Sequence, residues 1–129
     1  MQAHGWQLDA ARIFVHDLAA AHEFYARLLG LSRMAGGPAA GYCVYDAGGV
    51  QLVVEAVAPE ASEDDHALVG RFAGLSFRVD DIQLRCAQLK ARGVFFAAEP
   101  EPQAWGGVLA TFADPAGNLL QLVQRPGGI

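Results

Sequence analysis

The chain has 129 residues, a size that fits one domain and leaves little room for two separately cored ones. Hydrophobic residues make up 53% and charged residues 18%, a balance that excludes an intrinsically disordered chain. Nine basic residues against fourteen acidic ones give a formal net charge of −5, which argues against a nucleic-acid partner, because neutralising phosphates needs a basic face.

No apolar run approaches the roughly 18 residues that cross a bilayer. Residues 1–6 lack the basic-then-apolar order of a secretory signal. The expectation is a cytoplasmic protein with no membrane partner. Cys43 and Cys86 belong to no CxxC pattern and read as two reduced, part-buried thiols without a histidine partner close in sequence.

In chain order, Ala11, Ile13 and Val15 alternate with Arg12, Phe14 and His16, which predicts a strand. Asp17 follows as the N-cap of a helix over 18–29, with Leu18, Ala21, Phe24 or Tyr25, and Leu28 on its apolar face and His22 turned to water. Gly30 ends it. Short strands are expected over 31–34, 41–45 and 50–57, punctuated by Gly36-Gly37-Pro38 and Gly48-Gly49. The acidic, turn-rich stretch 59–65 reads as a solvated linker carrying a solvated His66, with a lid over a pocket as the alternative.

The pattern then restarts. Residues 75–80 alternate again, and Asp81 caps a second helix with Ile82, Cys86 and Leu89 on one face and Gly93 at its end. Strands are expected over 94–96, 108–112 and 119–124. Val15 and Val79, Asp17 and Asp81, and Leu18 and Ile82 are each 64 residues apart; Asp46 and Asp114, and Gly49 and Gly117, are each 68 apart. This is an internal repeat of strand–helix–strand–strand–strand. Module one spans about 8–57, a linker 58–70 and module two about 71–125. One half alone leaves a sheet face uncovered, which predicts a single composite domain. Asp114-Pro115-Ala116-Gly117 places Asp, Pro and Gly where a type I turn favours them.

The repeat, the opening Val15-His16-Asp17-Leu18, the Phe24-Tyr25 and Leu29-Gly30-Leu31 of the first helix, and the turn Asp114-Pro115-Ala116-Gly117-Asn118 together resemble the vicinal oxygen chelate superfamily, which includes glyoxalases, extradiol dioxygenases and bleomycin-resistance proteins. The resemblance covers about residues 8–125. It implies an α+β fold of two βαβββ modules, each an incompletely closed, curved mixed sheet with a pocket in its concave face, and a homodimer. In the metal-using members, the first-strand ligand lies seven residues before each capping aspartate, and the last-strand ligand seven after the turn aspartate. Carried onto this chain, those positions hold Ala10, Gly74, Gln121 and either Val53 or Gln51. Divalent cations need several oxygen or imidazole donors, preferably anionic ones. The expectation is therefore no metal centre, no cofactor and no metal-borne chemistry.

Strand parity places Arg12 and Phe14, Val53 and Glu55, Phe72, Ser76 and Arg78, and Gln121 on the concave side, with Trp105 beside Gly106-Gly107 as a candidate at the pocket mouth. Aromatic stacking and apolar burial would hold a partly aromatic small molecule, and Arg12, Arg78 and Gln121 would orient its polar groups. Each residue has an ordinary alternative: ion pairing with Glu55, filling of the sheet face, or bonding to a neighbouring strand. The leading expectation is a metal-free binding protein, with drug sequestration as one use. The rivals are a metal-dependent lyase, isomerase or dioxygenase with displaced ligands such as His16 and Glu55, and a module whose pocket is collapsed.

Overall fold

A computed structural model describes residues 4–128. Strand β1 (Ala10–Val15) leads into α1 (Leu18–His22), which widens into a π-helical turn over Glu23–Leu28. Then come β2 (Ser32–Gly37), β3 (Tyr42–Asp46) and β4 (Gln51–Ala56). A turn of helix, α2 (Glu63–His66), precedes β5 (Phe72–Arg78), α3 (Ile82–Ala91), β6 (Phe95–Pro102), β7 (Val108–Ala113) and β8 (Leu119–Gln124). The first sheet has the order β1-β4-β3-β2 and the second β5-β8-β7-β6, so the sequence repeat is a structural one. In each sheet the first strand runs parallel to the last and the other pairs are antiparallel.

Local chemistry starts both helices as expected. The Asp17 carboxylate accepts the Ala20 N–H at 3.0 Å and Asp81 accepts the Leu84 N–H at 3.1 Å, caps that stabilise by about 1 kcal/mol each. The first helix departs from a uniform α-helix: the Leu29 N–H bonds the Phe24 carbonyl, five residues back, at 2.9 Å. Phe24 and Tyr25 are both buried. β2 runs through Gly36 and Gly37, where the sequence predicts a stop. Gly36 there has φ +78°, and a Cβ on it would meet the Tyr42 carbonyl oxygen at 2.2 Å, so only glycine lets β3 approach. Residues 59–65 are not a bare linker either: the Ser62 hydroxyl accepts the Asp65 N–H at 3.2 Å and starts α2.

The core is shared. Ile13, Val15, Leu52 and Val54 of the first sheet, Phe112, Leu120 and Leu122 of the second, and Leu18, Phe24, Ile82, Cys86 and Leu89 of the helices belong to one buried cluster. The Phe24 and Phe112 rings, from different modules, lie 6.3 Å apart. Each sheet thus turns its helix-covered face to a common interior and, by strand alternation, its other face away from it.

A buried polar network ties the modules together. The Tyr25 hydroxyl donates to Asp114 Oδ2 at 2.8 Å, and Asn118 Nδ2 donates to the same oxygen at 3.0 Å and to the Phe14 carbonyl at 2.8 Å. Asn118 Oδ1 accepts the N–H groups of Gly70 and Arg71 at 2.8 and 3.2 Å. Asp114 Oδ1 accepts those of Ala116 and Asn118 at 2.9 Å. The Asp-Pro-x-Gly turn is therefore more than a hairpin: its first and fifth residues reach the end of β1, the first helix and the approach to β5.

Asn118→Ala would orphan two N–H groups and one carbonyl, and is expected to cost about 2–4 kcal/mol in urea unfolding, whereas the exposed Gln83→Ala should stay within about 0.5 kcal/mol. Tyr25 adds a pH signature. Burial, then the nearby Asp114 charge, raises its phenol far above the ordinary value. A phenol raised in the fold keeps its proton there, so its contribution is complete below the unfolded tyrosine pKa of about 10 and is lost as pH climbs above it. Unfolding at stepped pH should show stability falling above about pH 10, with a shallower fall in Tyr25→Phe.

Candidate functional site

The outward face of the first sheet carries the best-defined part of the predicted site. β1 and β4 pair Arg12 with Val53 and Phe14 with Glu55, so alternation sets all four on one side. The Arg12 guanidinium is ion-paired with Glu55 and lies 5.1 Å from the centroid of the Phe14 ring. The Glu55 hydrogen bond, then its charge, raises Arg12 above its ordinary pKa. These three residues border a cleft of about 230 Å³ whose other wall includes Ala61, Asp65 and Leu68. The sequence offers a lid over a pocket only as the alternative for 59–65 and singles out none of these three residues, because an acidic, turn-rich stretch looks the same whether solvated or docked.

The second sheet holds Ser76 beside Gln121 and Arg78 beside Val123. The Gln121 amide reaches only its strand neighbour, donating to Thr111 Oγ1 at 3.3 Å. Phe72 is 56% exposed and lies before a bulge in β5, where Gly74 has φ +71°. Trp105, 54% exposed, folds its indole over Gly107 in the loop before β7. Arg78 lines a separate cleft beside α3. Neither the cleft beside Arg12 nor the one beside α3 is lined by both outward faces: the structure brings Arg12, Phe14, Val53 and Glu55 together, pairs Ser76 with Gln121 one step along the same face from Arg78, and leaves Phe72 and Trp105 apart from both groups.

The family's ligand positions can be placed by register. Arg12 pairs with Val53, and Ser76, 64 residues on from Arg12, pairs with Gln121, 68 on from Val53. Val53, not Gln51, is therefore the counterpart of Gln121. The four positions hold Ala10, Val53, Gly74 and Gln121, one neutral amide in all, and this donor set does not fit a divalent cation. The displaced ligands have other engagements: Glu55 holds Arg12, and His16 Nε2 lies 2.9 Å from His66 Nδ1.

Two histidines differ from their sequence reading. His66 is part-buried and bonded to His16 rather than solvated, and its Nε2 lies 3.2 Å from the Pro59 carbonyl. His22 is part-buried, with Nδ1 2.7 Å from the Tyr45 hydroxyl and 4.0 Å from Cys43 Sγ. Cys43 thus has a histidine neighbour that spacing does not reveal, yet it is fully buried. Burial, then the Cys43 thiol, holds Tyr45 above the usual phenol range, and burial pushes Cys86 up as well. A raised pKa keeps a thiol protonated and unreactive.

Because the Arg12 side chain is mostly exposed, its pair with Glu55 adds little to the stability of the fold. Arg12→Gln is expected to leave the urea midpoint close to that of the parent chain, which leaves the guanidinium available for recognition.

Residues 7–122 match the family described as Glyoxalase/Bleomycin resistance protein/Dioxygenase superfamily. The chain is 34% identical over 122 residues to the uncharacterized protein YurT of Bacillus subtilis (strain 168), covering 88% of this chain and 94% of that one. A crystal structure of a member of the same superfamily from Sphaerobacter thermophilus DSM 20745 superposes with a TM-score of 0.76 at 30% identity, covering 93% of this chain and 98% of that one. TnmS3, an antibiotic binding protein from Streptomyces sp. CB03234, superposes with a TM-score of 0.72 at 28% identity, covering 92% and 95%.

Proposed function

Since the chain belongs to the glyoxalase/bleomycin resistance protein/dioxygenase superfamily, whose fold hosts several chemistries, we propose that it binds a small, partly aromatic molecule without a metal ion. The observation that carries this reading is the Arg12–Phe14–Glu55 group. A guanidinium lies by an aromatic ring on the rim of a cleft, with a carboxylate holding it in place. An aromatic guest would lie against Phe14 and Val53. Arg12 would meet its acceptors and Glu55 its donors. The antibiotic-binding neighbour supports a small-molecule ligand, and sequestration of a drug is the use we assign to it.

Each outward face is open on its own. We propose that a second copy closes the site, laying the Ser76–Gln121 face of one chain over the Arg12–Phe14 face of the other. The half-exposed Phe72 would then be covered, and Gln121 would gain a polar group to bond.

The test is a panel of aromatic antibiotics and phenolic acids titrated into isotope-labelled protein containing chelator and followed by NMR. Saturable shifts are expected near both Phe14 and Gln121, and Phe14→Ala should weaken binding about tenfold. Sedimentation equilibrium should give twice the 13.7 kDa chain mass. A panel with no saturable member, or binding that appears only when metal is added, would refute the proposal.

A further inference from the structure

A larger cleft, of about 410 Å³, lies away from the Arg12–Phe14–Glu55 face. It lies where the turn 29–31 approaches α3 and the helix-covered side of the second sheet. Its floor is apolar, with Leu89 and Phe112 buried. Its rim is cationic: Arg85 and Gln88 lie on one face of α3 and Arg92 caps its C-terminus, while Arg78, at the end of β5, borders the cleft with a side chain that strand alternation turns to the outward face. Two guanidiniums, of Arg85 and Arg92, meet there although the net charge is −5, and no carboxylate lines the cleft. Among the described residues the ion pairs are Arg12–Glu55, Arg27–Glu23 and Lys90–Glu99, so neither rim guanidinium has an acidic partner. Arg92 donates to the Leu28 carbonyl at 2.8 Å, which fixes it against the turn.

We infer that this cleft is a second ligand site, for an organic carboxylate with a ring-containing apolar body. Guanidinium forks match a carboxylate's geometry, and a desolvated body would cover the apolar floor. The volume falls within the range of small-molecule pockets. Inorganic phosphate would satisfy the charge but leave the floor wet. The inference is independent of the concave-face proposal, because the two sites share no residue of the Arg12–Phe14–Glu55 group.

Titration of the labelled full chain with 2-naphthoate, 2-naphthylmethanol and inorganic phosphate, followed by NMR, tests it. Naphthoate should give saturable one-to-one shifts in α3 and residues 29–31, with the alcohol and phosphate each about tenfold weaker or worse. Arg85→Glu should weaken naphthoate about tenfold, and Arg12→Gln should leave it unchanged. The inference is overturned by equal binding of the alcohol or phosphate, by an unaffected Arg85→Glu, or by shifts confined to the Arg12 face. It is also overturned if the α3 face gives no response because a second copy covers it.

Discussion

Asp114 and Asn118 sit where both halves of the chain meet, and the arrangement of the modules depends on their hydrogen bonds. A buried carboxylate and amide are costly unless fully paired. Here the Asn118 side chain uses both its donors and its acceptor on Phe14, Asp114, Gly70 and Arg71, and Tyr25 completes the coordination of Asp114. Among the described residues no buried side-chain polar atom lacks a partner. Any slippage between β1 and the approach to β5 would break several of these bonds at once. The network therefore fixes which sheet faces meet in the core and which face outward, and so where a ligand can be met.

Much of this was legible locally. The capping aspartates, the alternation of β1 and the spacing of the repeat are short-range signals, and Arg12, Phe14 and Glu55 could be placed on one face from parity alone. The choice between Val53 and Gln51 was not decidable by counting, because the first turn lacks the proline that marks the second; the paired registers of β1 with β4 and β5 with β8 decide it. What stayed hidden is long-range. The contact of His16 with His66 and the docking of 61–68 beside Arg12 depend on how the chain returns across the sheet. The separation of Arg12 from Gln121 in the isolated chain follows from sheets that share one helix-filled core. No periodicity reports which way two sheets face.

The same fold can hold an ion or do without one, and the difference lies in a few strand positions. Here alanine, valine and glycine stand at three of the four positions where the family's metal-using members place donors, and the remaining glutamine is occupied by a threonine. Polar side chains stand instead two residues along each strand, at Arg12 and Glu55, which pair with each other.

Metal analysis of the purified chain saturated with a compound it retains, by plasma mass spectrometry without prior chelation, bears most directly on this account. Well under one equivalent of any transition metal per chain, with ligand still bound, is the predicted result. One equivalent that leaves together with the ligand would contradict it.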